Sequence, residues 1–261
     1  VRHVIYHANC YDGFGSAYAA WKKFGYSDVV YQAAKYGDPP PTPDYKTDVL
    51  ICDFCFPRED LDRIAKNARS LIVLDHHKTS EALCVDFANA IFDMNKSGAV
   101  LTWEYLFQST PLPELLSYIQ DRDLWKFALP ESKEVAAALQ AYPMDFETWD
   151  SLRVENLKIE GRAILKFKHQ MVSNMCDNAW IQKIGGFEVP VTNATVFFSE
   201  VGEELCRRFP GAPFAAYFLD RSDGKRQWGL RSRNGFDVSD VAKKLGGGGH
   251  KAAAGFIEAR P

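Results

Sequence analysis

The sequence predicts an α/β protein: an N-terminal domain built on a parallel sheet, joined by a long helix to a second, smaller α/β domain. Three observations predict it. Through the first half, apolar β-forming runs alternate with segments of helical pattern, and those runs end in acids or histidines. From Trp149 to about Ala179, charges and apolar residues mix at helical spacing. Beyond Gly185-Gly186 the texture turns to β, with a hairpin signal at Ser222-Asp-Gly-Lys. The expected bounds are 1–148 for the first domain, 149–185 for the connecting helix and 186–261 for the second domain.

Taken in order, residues 3–7 form a short strand ending in His7, broken at Ala8-Asn-Cys-Tyr-Asp-Gly13 before a helix over 14–24. Gly13 and Gly15 at that turn allow close approach of a charged ligand to the helix N-terminus. A second strand is expected over 28–33, then a proline-stiffened loop over 37–43. Val49-Leu-Ile-Cys-Asp53 repeats the design of a buried strand ending in an acid. Pro57 then opens a helix with acids in its first turn, as the macrodipole prefers. The run Ser70-Leu-Ile-Val-Leu stops at Asp75-His76-His77, three ligand-type residues in succession. Such continuous apolar runs suit strands covered on both faces. Polar residues at the C-terminal ends of parallel strands converge on one crevice. Helices follow over 99–107, within 112–125 and over 133–142. The second domain is read as strands over 189–196, 214–220 and 227–231, then a helix over 238–245 that runs into Gly246-Gly-Gly-Gly-His250.

The net charge of −3 and the pI near 6.1 exclude an overall basic field, which argues against tracking of long DNA or RNA but leaves a short nucleotide open. The six cysteines show no framework spacing. Cys52-x-x-Cys55 reads as reduced thiols packed in the core, with redox or zinc use as the alternative. No signal peptide opens the sequence and no apolar run nears the roughly 18 residues of a membrane span. A cytoplasmic protein with no membrane partner is expected, and a homodimer is compatible with this reading.

Two constellations carry chemistry. His7, Asp12, Asp53, Asp75, His76, His77 and Asp121 mix carboxylates with imidazoles, a donor set for Mn²⁺ or Mg²⁺ with Zn²⁺ or Co²⁺ as competitors. Any one acid alone would be a helix cap or a solvated residue; their joint placement at strand ends points to metal. The glycine run loses too much backbone entropy to serve helix or strand stability. It can instead expose N–H groups to phosphate, with Arg231, Arg233, His250 and Lys251 as nearby cations.

The order His7, Asp12-Gly, Asp53, Asp75-His76-His77, Asp121, then Gly246-Gly-Gly-Gly-His250-Lys-x-Ala-Ala-Gly255 resembles the DHH phosphoesterase family, in the branch whose DHH-associated domain ends in a GGGHxxAAG signature. The resemblance covers nearly the whole chain, and Trp228-Gly-Leu-Arg-Ser232 matches the strand before that signature. It implies a two-domain, Mn²⁺-dependent hydrolase with a pair of metal ions, acting on linear dinucleotides or nanoRNA, or on nucleotide bisphosphates. Single-strand exonuclease and exopolyphosphatase are the other enzymatic readings. It also implies catalytic roles for Asp53, Asp75, His76 and His77. Asp53 would bridge the metals, Asp12, His76 and Asp121 would complete one, and His7 would ligate the other. Asp75 and His77 would orient ligands or touch phosphate. Arg231, Ser232, Gly248, Gly249 and His250 would bind substrate. The family's usual Asp-x-Asp has Cys10 at its first position here, and the spacing from the histidine is one residue short. Cys10 is therefore either a thiolate ligand or a gap, and the gap would favour a non-catalytic nucleotide sensor. Asp121 and Asp123 both offer a carboxylate; Asp121 is favoured.

Overall fold

A five-stranded, all-parallel sheet organises the first part of the chain. The computed structural model describes Val1–Arg260 and divides into two units, Val1–Ile164 and Leu165 onward. The first unit runs β1 (Arg2–His7), α1 (Tyr11–Phe24), β2 (Val29–Ala34), β3 (Asp48–Cys52), α2 (Arg58–Asn67) and β4 (Ser70–Asp75). A single 3-10 turn at Lys78–Ser80 leads into α3 (Glu81–Val85) and β5 (Ala90–Phe92). Four helices follow, α4 (Gly98–Phe107), α5 (Glu114–Asp123), α6 (Ser132–Leu139) and α7 (Phe146–Ser151). The division between units falls inside α8 (Val154–Asp177).

The strand order β2-β1-β3-β4-β5 explains the apolar runs. Ile5, Ile51 and Val73 pack with Leu61 and Ile64 of α2 on one face, while Val4, Leu50, Leu74 and Leu101 of α4 fill the other. Both alternating sets are buried, so the strands read as unbroken apolar sequence rather than alternating polarity. Each such side chain contributes about 1.5–3 kcal/mol on burial. A second apolar layer, with Phe14, Trp103, Leu116, Ile119 and Trp149, seats α1 against α4, α5 and α7.

Register fixes the site. Tyr6 stands opposite Cys52, and Cys52 opposite Leu74. One residue further, His7, Asp53 and Asp75 emerge side by side at the C-terminal edge. The chain leaves β1 for β2 on one side and returns to β3 on the other, so the order reverses between β1 and β3. That is the switch point at which open α/β sheets place ligands.

The second unit contains the end of α8, then β6 (Trp180–Ile184), β7 (Phe187–Asn193), α9 (Phe198–Arg208), β8 (Ala215–Asp220), β9 (Lys225–Arg231), α10 (Val238–Lys244), β10 (Gly248–His250) and β11 (Ala253–Ala259). Its sheet has the order β10-β11-β9-β8-β7-β6, antiparallel except for the β7–β8 pair. Strand β6, absent from the sequence expectation, pairs with β7 around Gly185-Gly186.

The glycine run also differs from expectation. Gly246 and Gly247 donate their N–H groups to Lys243 and Ala242 carbonyls at the end of α10, a C-terminal cap with Gly246 at φ +80°. Gly248 to His250 form an edge strand against β11. A side chain at Gly249 would lie 2.5 Å from the Ala254 backbone, so β10 needs glycine for close approach. Glycine here does serve strand formation. Among the described residues, no helix is long and apolar enough to cross a membrane.

Candidate metal centre

Two groups of ligand-type side chains meet at the strand ends of the first unit. His7, Asp53 and His77 form one, and Asp12, His76 and Asp123 the other; in each, a ligand atom from every residue lies within 4.8 Å of the others. Asp53 connects them. Its Oδ1 is 3.0 Å from His76 Nε2, and its Oδ2 is 3.6 Å from His7 Nδ1. His76 Nε2 is also 3.5 Å from both Asp12 Oδ2 and Asp123 Oδ2.

The backbone builds this deliberately. Asp53 sits just past β3 at φ +56°, a left-handed conformation that aspartate tolerates better than bulky residues. Such strain, of order 1–3 kcal/mol, concentrates at functional sites. Asp12, in the first turn of α1, accepts from the Gly98 N–H at 2.5 Å and the Ala99 N–H at 3.1 Å, so it is pinned by the N-terminus of α4. The sequence reading did not find this tie. A Cβ at Gly98 would lie 2.4 Å from Asp53 Cβ, and one at Gly13 would lie 2.2 Å from the His7 carbonyl oxygen. Gly98 lets the start of α4 close against Asp53 and Asp12, and Gly13 lets the start of α1 close against the end of β1.

Asp75 is a positioning residue. Its Oδ1 accepts from the His76 N–H (2.8 Å) and the His77 N–H (3.2 Å), and lies 2.8 Å from His77 Nδ1. His77, expected only in support, stands with His7 and Asp53 instead. Two further expectations change. Asp121 is turned away, its two oxygens accepting from the Ala128 and Leu129 N–H groups at 2.9 and 3.1 Å; it caps the loop after α5, and Asp123 faces His76 in its place. Cys10 belongs to neither group, and His77 stands beside His7 and Asp53.

Electrostatics separate the groups. Burial would raise the Asp53 carboxyl, but the imidazoles of His7 and His76 outweigh it and hold it down at about 2. Burial pushes Asp12 well above the carboxylate range, helped by the charges of Asp53 and Asp123. Burial likewise raises Asp123. Burial opposes charge on His76, yet Asp53, Asp12 and Asp123 lift it to about 9. Burial, then the charges of Asp53 and Asp12, push the Cys10 thiol up to about 12.

Three buried atoms lack any hydrogen-bond partner here: His7 Nδ1, Asp53 Oδ2 and Asp75 Oδ2. Leaving a buried polar group unpaired costs about 1–3 kcal/mol. A carboxylate oxygen and an imidazole nitrogen facing each other unpaired fit divalent cations: His7, Asp53 and His77 at one position, Asp12, His76 and Asp123 at the next.

In the second unit, Ser232 Oγ donates to the Phe236 carbonyl at 2.7 Å and is buried. It shapes the turn and has no free proton to offer. Arg231 and His250 share a rung of the sheet, since both stand opposite Ala253. Arg233 pairs with Glu203 at 2.7 Å, whereas the Arg231 guanidinium has no acidic partner among the described residues.

A family model for the DHHA1 domain matches residues 200–257, which contain β8 to β10 and most of β11. The fold resembles that of the pGpG-specific phosphodiesterase PggH from Vibrio cholerae, with a TM-score of 0.54 at 15% identity over 99% of this chain and 93% of that one. Residues 200–257 thus carry a DHHA1 domain, and the sequence Asp75-His76-His77 closes β4 in the first unit. An uncharacterized protein, R106 of Acanthamoeba polyphaga mimivirus, is 31% identical to this chain over 97% of the chain's length, and the chain spans 66% of that relative. Thermus thermophilus RecJ in complex with Mn²⁺ aligns over 100% of this chain and 49% of its own, with a TM-score of 0.46 and 15% identity.

Proposed function

We propose that this chain is a metal-dependent phosphodiesterase of short nucleotides, such as linear dinucleotides (nanoRNA) or nucleotide bisphosphates. The observation that carries the reading is Asp53, one carboxylate set between two groups of histidines and acids, with Oδ2 toward His7 and Oδ1 toward His76. The donor set of imidazole and carboxylate suits Mn²⁺ or Mg²⁺. When bound, such cations would supply Lewis acidity toward a phosphoryl group and would lower the pKa of a water. The chain's part would be to hold such cations: Asp53 with His7 and His77 at one group, and Asp12, His76 and Asp123 at the other. Asp75 fixes His77, and the α4 N-terminus fixes Asp12, so little reorganisation remains at the moment of reaction.

The second unit would contact a phosphate or nucleotide end through Arg231 and His250, with Gly248 and Gly249 allowing close approach in the edge strand. Arginine without an acidic partner suits bidentate phosphate recognition. The fold shared with PggH supports a dinucleotide as the first substrate to try. The sensor reading rested on the missing acid at Cys10, and both groups assemble without that residue. Mn²⁺-dependent release of mononucleotide from a 5′-phosphorylated dinucleotide is expected for the wild type, with longer oligoribonucleotides, 3′-phosphoadenosine-5′-phosphate and polyphosphate as comparisons. Preference for polyphosphate, or equal inactivity of wild type and Asp53→Asn, would count against it.

A further inference from the structure

A third group of ligand-type atoms lies behind the DHH motif. Cys55 follows β3, Asp75 ends β4 and Cys84 lies in α3. One ligand atom from each is within 4.8 Å of the others, and the three residues are only 2%, 0% and 3% exposed. Asp75 Oδ1 is engaged by the three groups of His76 and His77 described above. The other oxygen, Oδ2, is buried without a hydrogen-bond partner, so the carboxyl is satisfied on the side of the catalytic residues and orphaned on its other oxygen.

The sequence spacing of Cys52 and Cys55 does not describe this site. Cys52 packs with Val4, Leu50, Leu74 and Leu101 on the opposite face of the sheet. The spatial companion of Cys55 is Cys84, which reaches it through the short α3. Two sulfurs and one carboxylate oxygen differ in kind from the imidazole and carboxylate donors around Asp53. Thiolates select softer ions than Mn²⁺ or Mg²⁺. Zn–S and Zn–O bonds of about 2.3 and 2.1 Å suit ligand atoms at separations of this order.

We propose that Cys55, Cys84 and Asp75 form a separate site for a thiophilic divalent cation, with Zn²⁺ the best match. Binding transfers the two thiol protons to solvent and gives Asp75 Oδ2 its missing contact. Asp75 is then held through both oxygens, one by the cation and one by His76 and His77. The ion would thus anchor the DHH strand end without touching substrate.

The test uses Co²⁺ as a spectroscopic substitute for Zn²⁺, added to the purified full chain under reducing conditions. The wild type is expected to show a near-ultraviolet thiolate-to-cobalt charge-transfer band that Zn²⁺ abolishes by displacement. The band should persist in Cys10→Ser and in Asp53→Asn, and be lost in Cys55→Ser and Cys84→Ser. Absence of the band in the wild type overturns the proposal, and that arm needs no substituted chain to fold. So does a band lost in Cys10→Ser but kept in Cys55→Ser, or a Cys55–Cys84 disulfide found by mass in place of metal. None of these readouts depends on hydrolysis, so failure here and failure of the phosphodiesterase reading are separable.

Discussion

The two units treat their polar groups in opposite ways. In the first, His7 Nδ1, Asp53 Oδ2 and Asp75 Oδ2 are buried without partners at one strand edge. In the second, no buried side-chain atom is left unpaired among the described residues: Ser232 is bonded to Phe236 and Trp228 Nε1 to Glu258, while His250 is exposed at the sheet edge. Unpaired buried donors and acceptors are a free-energy deficit that a bound cation can recover. Polar side chains on a sheet with no unpaired buried side-chain atom carry no such deficit and are suited to reversible contact with phosphate. Under the proposed function, the first unit would carry the chemistry and the second would recognise the substrate.

Substitutions can break that division. Asp53→Asn should have the largest effect, lowering kcat/KM for the dinucleotide by more than about 100-fold, beyond the 10–100-fold typical of residues that only orient ligands. Next, Asp123→Asn should weaken Mn²⁺ binding by about 10–100-fold in calorimetry. Asp121→Asn should leave Mn²⁺ binding nearly unchanged and lower Tm, because the Ala128 and Leu129 N–H groups lose a charged acceptor worth about 1.5–3 kcal/mol. If the two aspartates exchange these phenotypes, the geometry at the end of α5 is misassigned. In the second unit, Arg231→Ala should raise KM by about 10-fold, the loss of one charge-assisted phosphate contact, with kcat and metal affinity held. A parallel fall in Mn²⁺ affinity would erase the contrast between the units.

Acidity gives a smaller effect with a definite sign. In chelator-treated protein, the His76 pKa is raised from 6.5 to about 9, so its contribution to stability is complete below about pH 6.5 and lost as pH rises through about 9. Asp12 and Asp123, raised by burial, act in the same direction. Asp53, depressed from 3.8 to about 2, acts oppositely but only in acid, losing its contribution as pH falls through about 2. Tm measured in chelator should therefore decline from pH 6.5 to 9, and saturating Mn²⁺ should flatten the decline by replacing the proton on His76. The smallest effect belongs to Cys10→Ser: turnover should stay within about twofold, since neither ligand group uses the thiol and most substitutions outside such groups have small effects.

Much of the first unit was legible because its strands are buried on both faces, so Val49–Cys52 and Ser70–Leu74 stand out as unbroken apolar runs with acids at their ends. His7, Asp12, Asp53 and His76 were candidates from that pattern, and the structure brings them together. Asp121 and Asp123 could not be separated by it: two positions apart on a helix, they point to different sides, and which side faces the sheet depends on how α5 packs. The loop N–H groups that claim Asp121 lie seven and eight residues onward, outside any local pattern. His77 was undervalued for the same reason, since its place beside His7 is set by the β1–β3–β4 register. Ser97 before Gly98 was the available signal for the helix that pins Asp12; its Oγ accepts from the Val100 N–H at 3.4 Å as an N-cap. In the second unit, β6 was missed because it is a mostly exposed edge strand. The glycine run was misread because its function is backbone contact between strands, which no side-chain pattern reports.

The central claim is that Asp53 joins two cation positions into one centre. Electron paramagnetic resonance of the chain loaded with Mn²⁺ tests it most directly. The wild type is expected to show the signal of an exchange-coupled Mn²⁺ pair, and Asp53→Asn to lose it. A wild-type spectrum of isolated Mn²⁺ only, or an unchanged coupled signal in Asp53→Asn, would contradict it.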